Sequence, residues 1–301
     1  MTFSIVAVDR KAREVGLAIA SCCWDAGQVC MAKAEAGAIA SQANGNVAFL
    51  PRFFDGLLEG ADPATILAGF RASDPEIESR QIGMAPFHGQ ALAFTGTKCS
   101  PWAGQRVGDD YAIQGNTLVG PQVIRAMVEA FEQTEGPLYQ RLYAALAAGD
   151  DAGGDRRGRE SARLAVKKAG WGHPGTDSLV DFSIPDHADP VRELGRILGV
   201  GQTLVGILRQ FGSLSEAADA DKPALLTKLR QTLDDRRDCR YLDWWEALGM
   251  AYHEIGDIDG AGDAFRIYLD INPALRPLLE ANAQRGAFPA DLACRVLGER
   301  P

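Results

Sequence analysis

Long hydrophobic runs are missing from this sequence: its longest apolar stretches fall far short of the ~20 residues that a membrane-spanning helix needs. Runs of Lys or Arg are missing too. With 31 basic against 40 acidic residues, a formal net charge of −9 and a pI near 5.0, the chain is poorly suited to nucleic acid or to an anionic membrane, and neither is expected as a partner. The start, Met1-Thr2-Phe3-Ser4-Ile5-Val6-Ala7-Val8-Asp9, shows no basic leader, apolar core segment or small-residue cleavage site, so no secretory signal is expected. Cysteine is sparse: Cys22, Cys23, Cys30, Cys99, Cys239 and Cys294 form no zinc-like CxxC pair, and at this length a disulfide scaffold is not expected. Histidine is rarer still, and His88, His173, His187 and His253 fall in turns or on a distant helix, which offers no metal site and no Cys–His pair. These absences predict a cytoplasmic protein with reduced thiols that uses no metal or organic cofactor.

What is present is an ordinary globular composition, 46% hydrophobic and 24% charged over 301 residues, enough for one large domain or two smaller ones. Residues 3–8 and 15–21 read as a strand hairpin around the charged turn Asp9–Arg13, and 37–41 as a third strand. Helical spacing follows over 47–58 and 63–72, the second opened by Asp62 as N-cap with Pro63 in the first turn. Strands are predicted again over 79–84, 90–95 and 111–115, then helices over 121–133 and 137–148, then strands over 162–168 and 178–184. That order predicts a layered α+β domain over residues 1–200 rather than a regularly alternating parallel sheet.

A helix from Pro190 is expected to end near Ile197, with Gly199-Val200-Gly201 and the soft stretch 212–221 marking the passage to a helical domain over 201–301. Within it the spacing Trp245-x2-Leu248-Gly249-x2-Tyr252-x3-Gly256-x4-Ala261-x3-Phe265, closed by Pro273, resembles one tetratricopeptide repeat over about 242–275. A single repeat cannot bury its own faces, so helices near 223–233 and 289–297 are expected to cap it.

Thr2 is the first chemical candidate. An initiator Met is normally removed before a small residue, and a chain-terminal Thr joins a hydroxyl nucleophile to an α-amine of pKa about 7.7–8.0, which is partly neutral at pH 7 and can take the hydroxyl proton. The strand that starts at once at Phe3 would pin this terminus inside a sheet. With only Met1 ahead of Thr2, activation is expected to need an aminopeptidase rather than self-cleavage, and a chain that keeps Met1 is expected to be inactive. Ser4 and Cys99 stand as alternative nucleophiles.

Eight stretches, in order, resemble the family called domain of unknown function 1028: 2–9 (TFSIVAVD), 15–21 (VGLAIAS), 34–43 (AEAGAIASQA), 80–84 (RQIGM), 95–104 (TGTKCSPWAG), 114–123 (QGNTLVGPQV), 152–161 (AGGDRRGRES) and 186–191 (DHADPV). The resemblance implies a four-layer αββα sandwich of the N-terminal nucleophile (Ntn) hydrolase kind, with the nucleophile at the start of the first strand and amide hydrolysis as the reaction class. It also brings an extension that some members carry and that is described as peptidoglycan-binding; here the extension reads better as tetratricopeptide-like.

Around Thr2 the remaining candidates each keep a structural alternative. Asn116, in Gln114-Gly115-Asn116, can turn its amide with a neighbouring backbone N–H toward an oxyanion, worth roughly 3 kcal/mol when well placed, or can simply form a turn, and Gln114 and Gly115 would then line the substrate. Asp155 can hold the terminal ammonium or act as a cap, while Arg156 and Arg157 can receive a substrate carboxylate or remain solvated; Ser161 can complete the network. Glu35 fits the family pattern and can orient the α-amine, whereas Lys33 reads as a solvated strand-end charge. The expectation is therefore a threonine amidohydrolase acting on a small molecule or short peptide, assembling as a homo-oligomer. The rival is a non-catalytic scaffold on the same fold, whose helical tail binds a protein partner or its own copy.

Overall fold

The computed structural model describes residues 2–172 and 174–298; Met1 and His173 lie outside the described residues. The chain divides into two compact units, Met1–Gly199 and Val200–Pro301. The first unit is mixed α+β. In chain order it runs β1 (Thr2–Asp9), β2 (Glu14–Ser21), β3 (Cys30–Lys33), β4 (Gly37–Ala43), α1 (Phe49–Leu58), α2 (Pro63–Ser73), β5 (Arg80–Pro86), β6 (Leu92–Thr95), β7 (Gly104–Val107), β8 (Tyr111–Asn116), α3 (Gln122–Gln133), α4 (Leu138–Asp151), β9 (Ser161–Lys167) and β10 (Ser178–Ile184).

These strands form two antiparallel sheets, one ordered β10-β9-β2-β1-β8-β7 and the other β3-β4-β5-β6. β1 is almost wholly buried because both of its faces are covered. Alternate residues along a strand point to opposite faces. Phe3, Ile5 and Ala7 join a core with Met127 and Phe131 of α3 and Leu142 and Leu146 of α4. Val6 and Val8 meet the other sheet through Ala38, Ala40 and Ala85, small residues that let the two sheets close together. The second sheet's far face, with Ile39, Ile82 and Met84, packs on Phe49, Phe53 and Phe70 of α1 and α2. The layers therefore run helices, sheet, sheet, helices. α2 starts as its sequence predicts, with Asp62 Oδ1 accepting the Thr65 N–H at 2.7 Å.

The expected break near Ile197 is absent. A single helix, α5 (Pro190–Glu216), continues through Gly199, Gly201, Gly206 and Gly212. Nothing beyond the helix itself comes within 4 Å of a Cβ placed on any of these glycines, so they lie on open faces. Each weakens the helix by up to about 1 kcal/mol relative to Ala. Burial of Leu194 and Leu198 in the first unit's core, and of Ile207 and Leu214 in the second's, offsets that loss.

The second unit is helical: α6 (Lys222–Leu233), α7 (Leu242–Glu254), α8 (Ile258–Ile271), α9 (Arg276–Gln284) and α10 (Ala290–Leu297). Gly256, at φ 80°, turns the chain between α7 and α8, and the Asp257 side chain caps α8 by accepting the Gly260 N–H at 2.9 Å. Trp245, Leu248, Ala261 and Phe265 are buried between the two helices, and a Cβ on Gly249 would lie 2.7 Å from the Phe265 ring. Among the described residues no helix is long and apolar enough to cross a membrane.

Candidate active site

The antiparallel register sets four polar residues in one line across the larger sheet: Asn116 on β8 faces Thr2 on β1, Thr2 faces Ser21 on β2, and Ser21 faces Ser161 on β9. All four are on the face turned toward the second sheet, at the end where β1 begins. Four positions along the same face from Thr2, Ser21 and Asn116, the side chains are apolar: Val6, Leu17 and Ala112. Thr2 is 4% exposed, and its Oγ1 lies 3.1 Å from Ser21 Oγ. The Cys23 thiol donates to that same Ser21 oxygen at 3.2 Å, while Ser161 Oγ donates to the Cys23 carbonyl at 2.6 Å and accepts the Ala26 N–H at 2.9 Å. The nucleophile candidate thus sits at the end of a chain of small hydroxyl and thiol groups.

Behind this line lies a buried set of carboxamides that bridges the sheets. Gln42 on β4 donates to the Thr2 carbonyl at 3.1 Å and to Gln81 Oε1 at 2.8 Å, and its own Oε1 accepts the Ser4 hydroxyl at 2.7 Å. Gln114 Nε2 donates to Ser4 Oγ at 2.6 Å, and Gln81 Nε2 donates to the Gly115 carbonyl at 2.8 Å. Neither Gln42 nor Gln81 stands out in the sequence. The only signal is a polar side chain inside an otherwise apolar strand, in GAIASQA and RQIGM.

This network alters several sequence expectations. Asn116 is next to Thr2, but its side-chain amide donates to Gln81 Oε1 at 2.9 Å and to the Thr2 carbonyl at 3.4 Å, so its hydrogens are already engaged. Gln114 and Gly115, expected to line a substrate, are instead buried between the sheets and held by Ser4 and Gln81, because β8 is an interior strand. Ser4, bonded on both sides, is equally locked in.

Asp155 is beside the end of β2. Its carboxylate accepts the Cys22 N–H at 3.2 Å, the Arg157 N–H at 2.9 Å and Arg157 Nη2 at 2.9 Å. It therefore organises the loop, and Arg157 is paired with it rather than open as a fork for a ligand carboxylate. Arg156 is exposed; its backbone N–H donates to the Thr117 carbonyl at 3.0 Å and its guanidinium to the Leu118 carbonyl at 3.4 Å.

Glu35 is a correction. It occupies the turn between β3 and β4, and from Gly37 to Gln42 the extended strand β4 then runs roughly 17 Å. Glu35 pairs there with Arg13 of the β1–β2 turn, at the end of the sheets opposite Thr2, so it cannot orient the Thr2 amine. Lys33 lies over the Phe54 ring at the same far end. Burial raises the Cys99 thiol above its ordinary range and pushes Cys30 up to about 12, which suits neither as a nucleophile. Among the described residues no cluster of His, Cys, Asp or Glu is arranged to hold a metal ion.

Residues 2–194 match the sequence profile of the family of unknown function DUF1028. The chain belongs to the DUF1028 family. A solved DUF1028 structure, protein SPO2555 from Silicibacter pomeroyi, superimposes with a TM-score of 0.59 at 28% sequence identity, over 66% of this chain and 88% of that one. No curated protein matches the sequence. The DUF1028 span holds the whole line from Asn116 to Ser161, the carboxamide network and the Asp155 loop, and it ends inside α5.

Proposed function

We propose that this DUF1028 protein is an N-terminal nucleophile amidohydrolase with Thr2 as its nucleophile. The observation that carries the reading is the setting of Thr2: the first residue of a central strand, its hydroxyl on the inner face of two stacked sheets and within 3.1 Å of Ser21 Oγ. The order of layers, helices outside and two sheets within, is the one that the Ntn resemblance implies, which adds support.

The reading requires removal of residue 1, so that Thr2 carries a free α-amine. That amine takes the proton from Oγ1 as the oxygen attacks an amide carbonyl, then returns it to the leaving nitrogen; water releases the acyl group by the same route. Ser21 fixes the hydroxyl's orientation, and Gln42 with Asn116 fixes the Thr2 backbone through its carbonyl. The substrate is a small amide or a short peptide. The α7–α8 pair is read as a tetratricopeptide-like unit that serves association with a protein partner or a second copy.

Intact mass of the purified protein, before and after a β-lactone probe, tests the assignment. Loss of Met1 and one acyl adduct, absent in Thr2→Ala, are expected. Retained Met1, or equal labelling of Thr2→Ala, refutes it; an adduct on Ser4 or Cys99 keeps the class and moves the nucleophile.

A further inference from the structure

Thr117 directly follows Asn116, the strand partner of Thr2, and combines three features that packing alone does not call for. Its φ is 53°, in the left-handed region that a β-branched residue rarely adopts. It is 9% exposed, and its Oγ1 is buried with no hydrogen-bond partner among the described residues. Its backbone is fully engaged: the N–H donates to the Ser100 carbonyl at 2.9 Å and the carbonyl accepts the Arg156 N–H at 3.0 Å. The next residue, Leu118, bridges to Asp155. Two loops thus clamp the main chain and leave one group of Thr117 uncommitted, its hydroxyl. Strain and an unpaired buried hydroxyl both oppose folding, and residues carrying such features concentrate where a ligand supplies the missing partner.

Resting on the reading of Thr2 as nucleophile, we infer that the Thr117 hydroxyl donates a hydrogen bond to the carbonyl oxygen of the bound substrate and holds it as negative charge develops there. Asn116 does not fill this role, because its amide hydrogens are held by Gln81 and the Thr2 carbonyl. In the step served, a bond forms between Thr2 Oγ1 and the carbonyl carbon, and the carbonyl π pair moves onto oxygen. The Thr2 α-amine takes the Oγ1 proton. Thr117 keeps its own proton and only shares it with the oxyanion. On collapse the C–N bond breaks and the amine's proton goes to the leaving nitrogen.

The test is the rate of acylation by a β-lactone, whose ring carbonyl becomes an oxyanion on attack and whose ring C–O bond then breaks, followed by intact mass on the full-length protein. Thr117→Val keeps shape and removes the hydroxyl; loss of one oxyanion donor is expected to slow acylation by about 10²–10³-fold. Thr117→Ser is expected to stay within about threefold of the parent by retaining the donor. Thr117→Gly, which accepts φ 53° without strain, secures a folded variant and is expected to be as slow as Thr117→Val. The melting temperature of Thr117→Val is expected to be no lower than the parent's, because an unpaired buried hydroxyl has been removed. Parent-like acylation in Thr117→Val or Thr117→Gly, with Thr2→Ala inert, overturns the role of Thr117 while leaving the nucleophile in place. Persistent acylation of Thr2→Ala overturns both.

Discussion

A methyl group added at Gly83 tests the carboxamide network without reference to any activity. A Cβ there would meet Oε1, Cδ and Nε2 of Gln114, none of them farther than 2.5 Å. Real Cβ contacts of that kind do not occur, so Gln114 must move. The end of a glutamine normally yields cheaply, but Gln114 is 0% exposed and has no solvent to move into. Displacing it breaks the 2.6 Å bond to Ser4 Oγ inside a closed layer. Overpacking a core costs about 1–3 kcal/mol, and breaking a buried hydrogen bond with a partner left unpaired costs about 1–3 more. Gly83→Ala is therefore expected to destabilise the first unit by about 2–6 kcal/mol. Hydrogen–deuterium exchange on the full-length protein reads this unit by unit. Peptides from β1, β5 and β8 should lose protection by at least about 30-fold, at 1.4 kcal/mol per tenfold. Peptides from α7 and α8 should not change, because their core is separate. Adding Gln114→Ala removes the obstructing carboxamide, so the double variant should be at least about 1 kcal/mol more stable than the two single effects added. Additive effects, or unchanged protection in Gly83→Ala, would refute the idea that this layer is closed.

In the helical unit, Gly249→Val drives a branched side chain against the Phe265 ring, where even a Cβ would lie at 2.7 Å. Exchange in α7 and α8 peptides is expected to rise with a loss of about 1–3 kcal/mol, while β1 and β8 keep their protection. Acid stability depends in part on Asp74. Hydrogen bonds from Arg80 Nε and from Asn46 Nδ2, both at 3.0 Å, hold its carboxyl below the ordinary carboxylate range. The folded value lies below the unfolded one of about 3.9, so the stability from Asp74 is complete above pH ~4 and is lost as pH falls through the lowered folded value. Asp74→Asn should lose about 1–2 kcal/mol at pH 7 by urea titration and show a flatter decline below pH 4.

The strands with continuous or alternating apolar residues, β1, β2, β5 and β8, are legible because their period is strong. β3 and β7 are not: each is four residues long, at or near a sheet edge and partly exposed, so neither carries an apolar repeat. The central place of β1 is also hidden, since its pairing with β8 joins residues more than a hundred positions apart. Gly199, Gly201, Gly206 and Gly212 of α5 suggest a linker, and only the buried Leu194, Leu198, Ile207 and Leu214 explain why the helix persists. At the site, Thr2, Asn116, Asp155 and Ser161 are brought to one end of the sheets. Glu35 goes to the other, because nearness in sequence to Gln42 does not survive the length of a strand. Gln42, Gln81, Ser21 and Thr117 escape notice because their significance lies in partners supplied by distant strands and loops.

The layer between the sheets is built largely from alanine and valine, which grip weakly and have no preferred alignment. Two such surfaces could slide over each other by a residue pair with little penalty. The amides of Gln42 and Gln81, locked onto Ser4, Gly115 and Asn116, are directional and fit at one offset only. The polar centre thus acts as an alignment key for the two sheets, and the position of Thr2 along the layer is set by the same contacts that tell one sheet where to rest on the other.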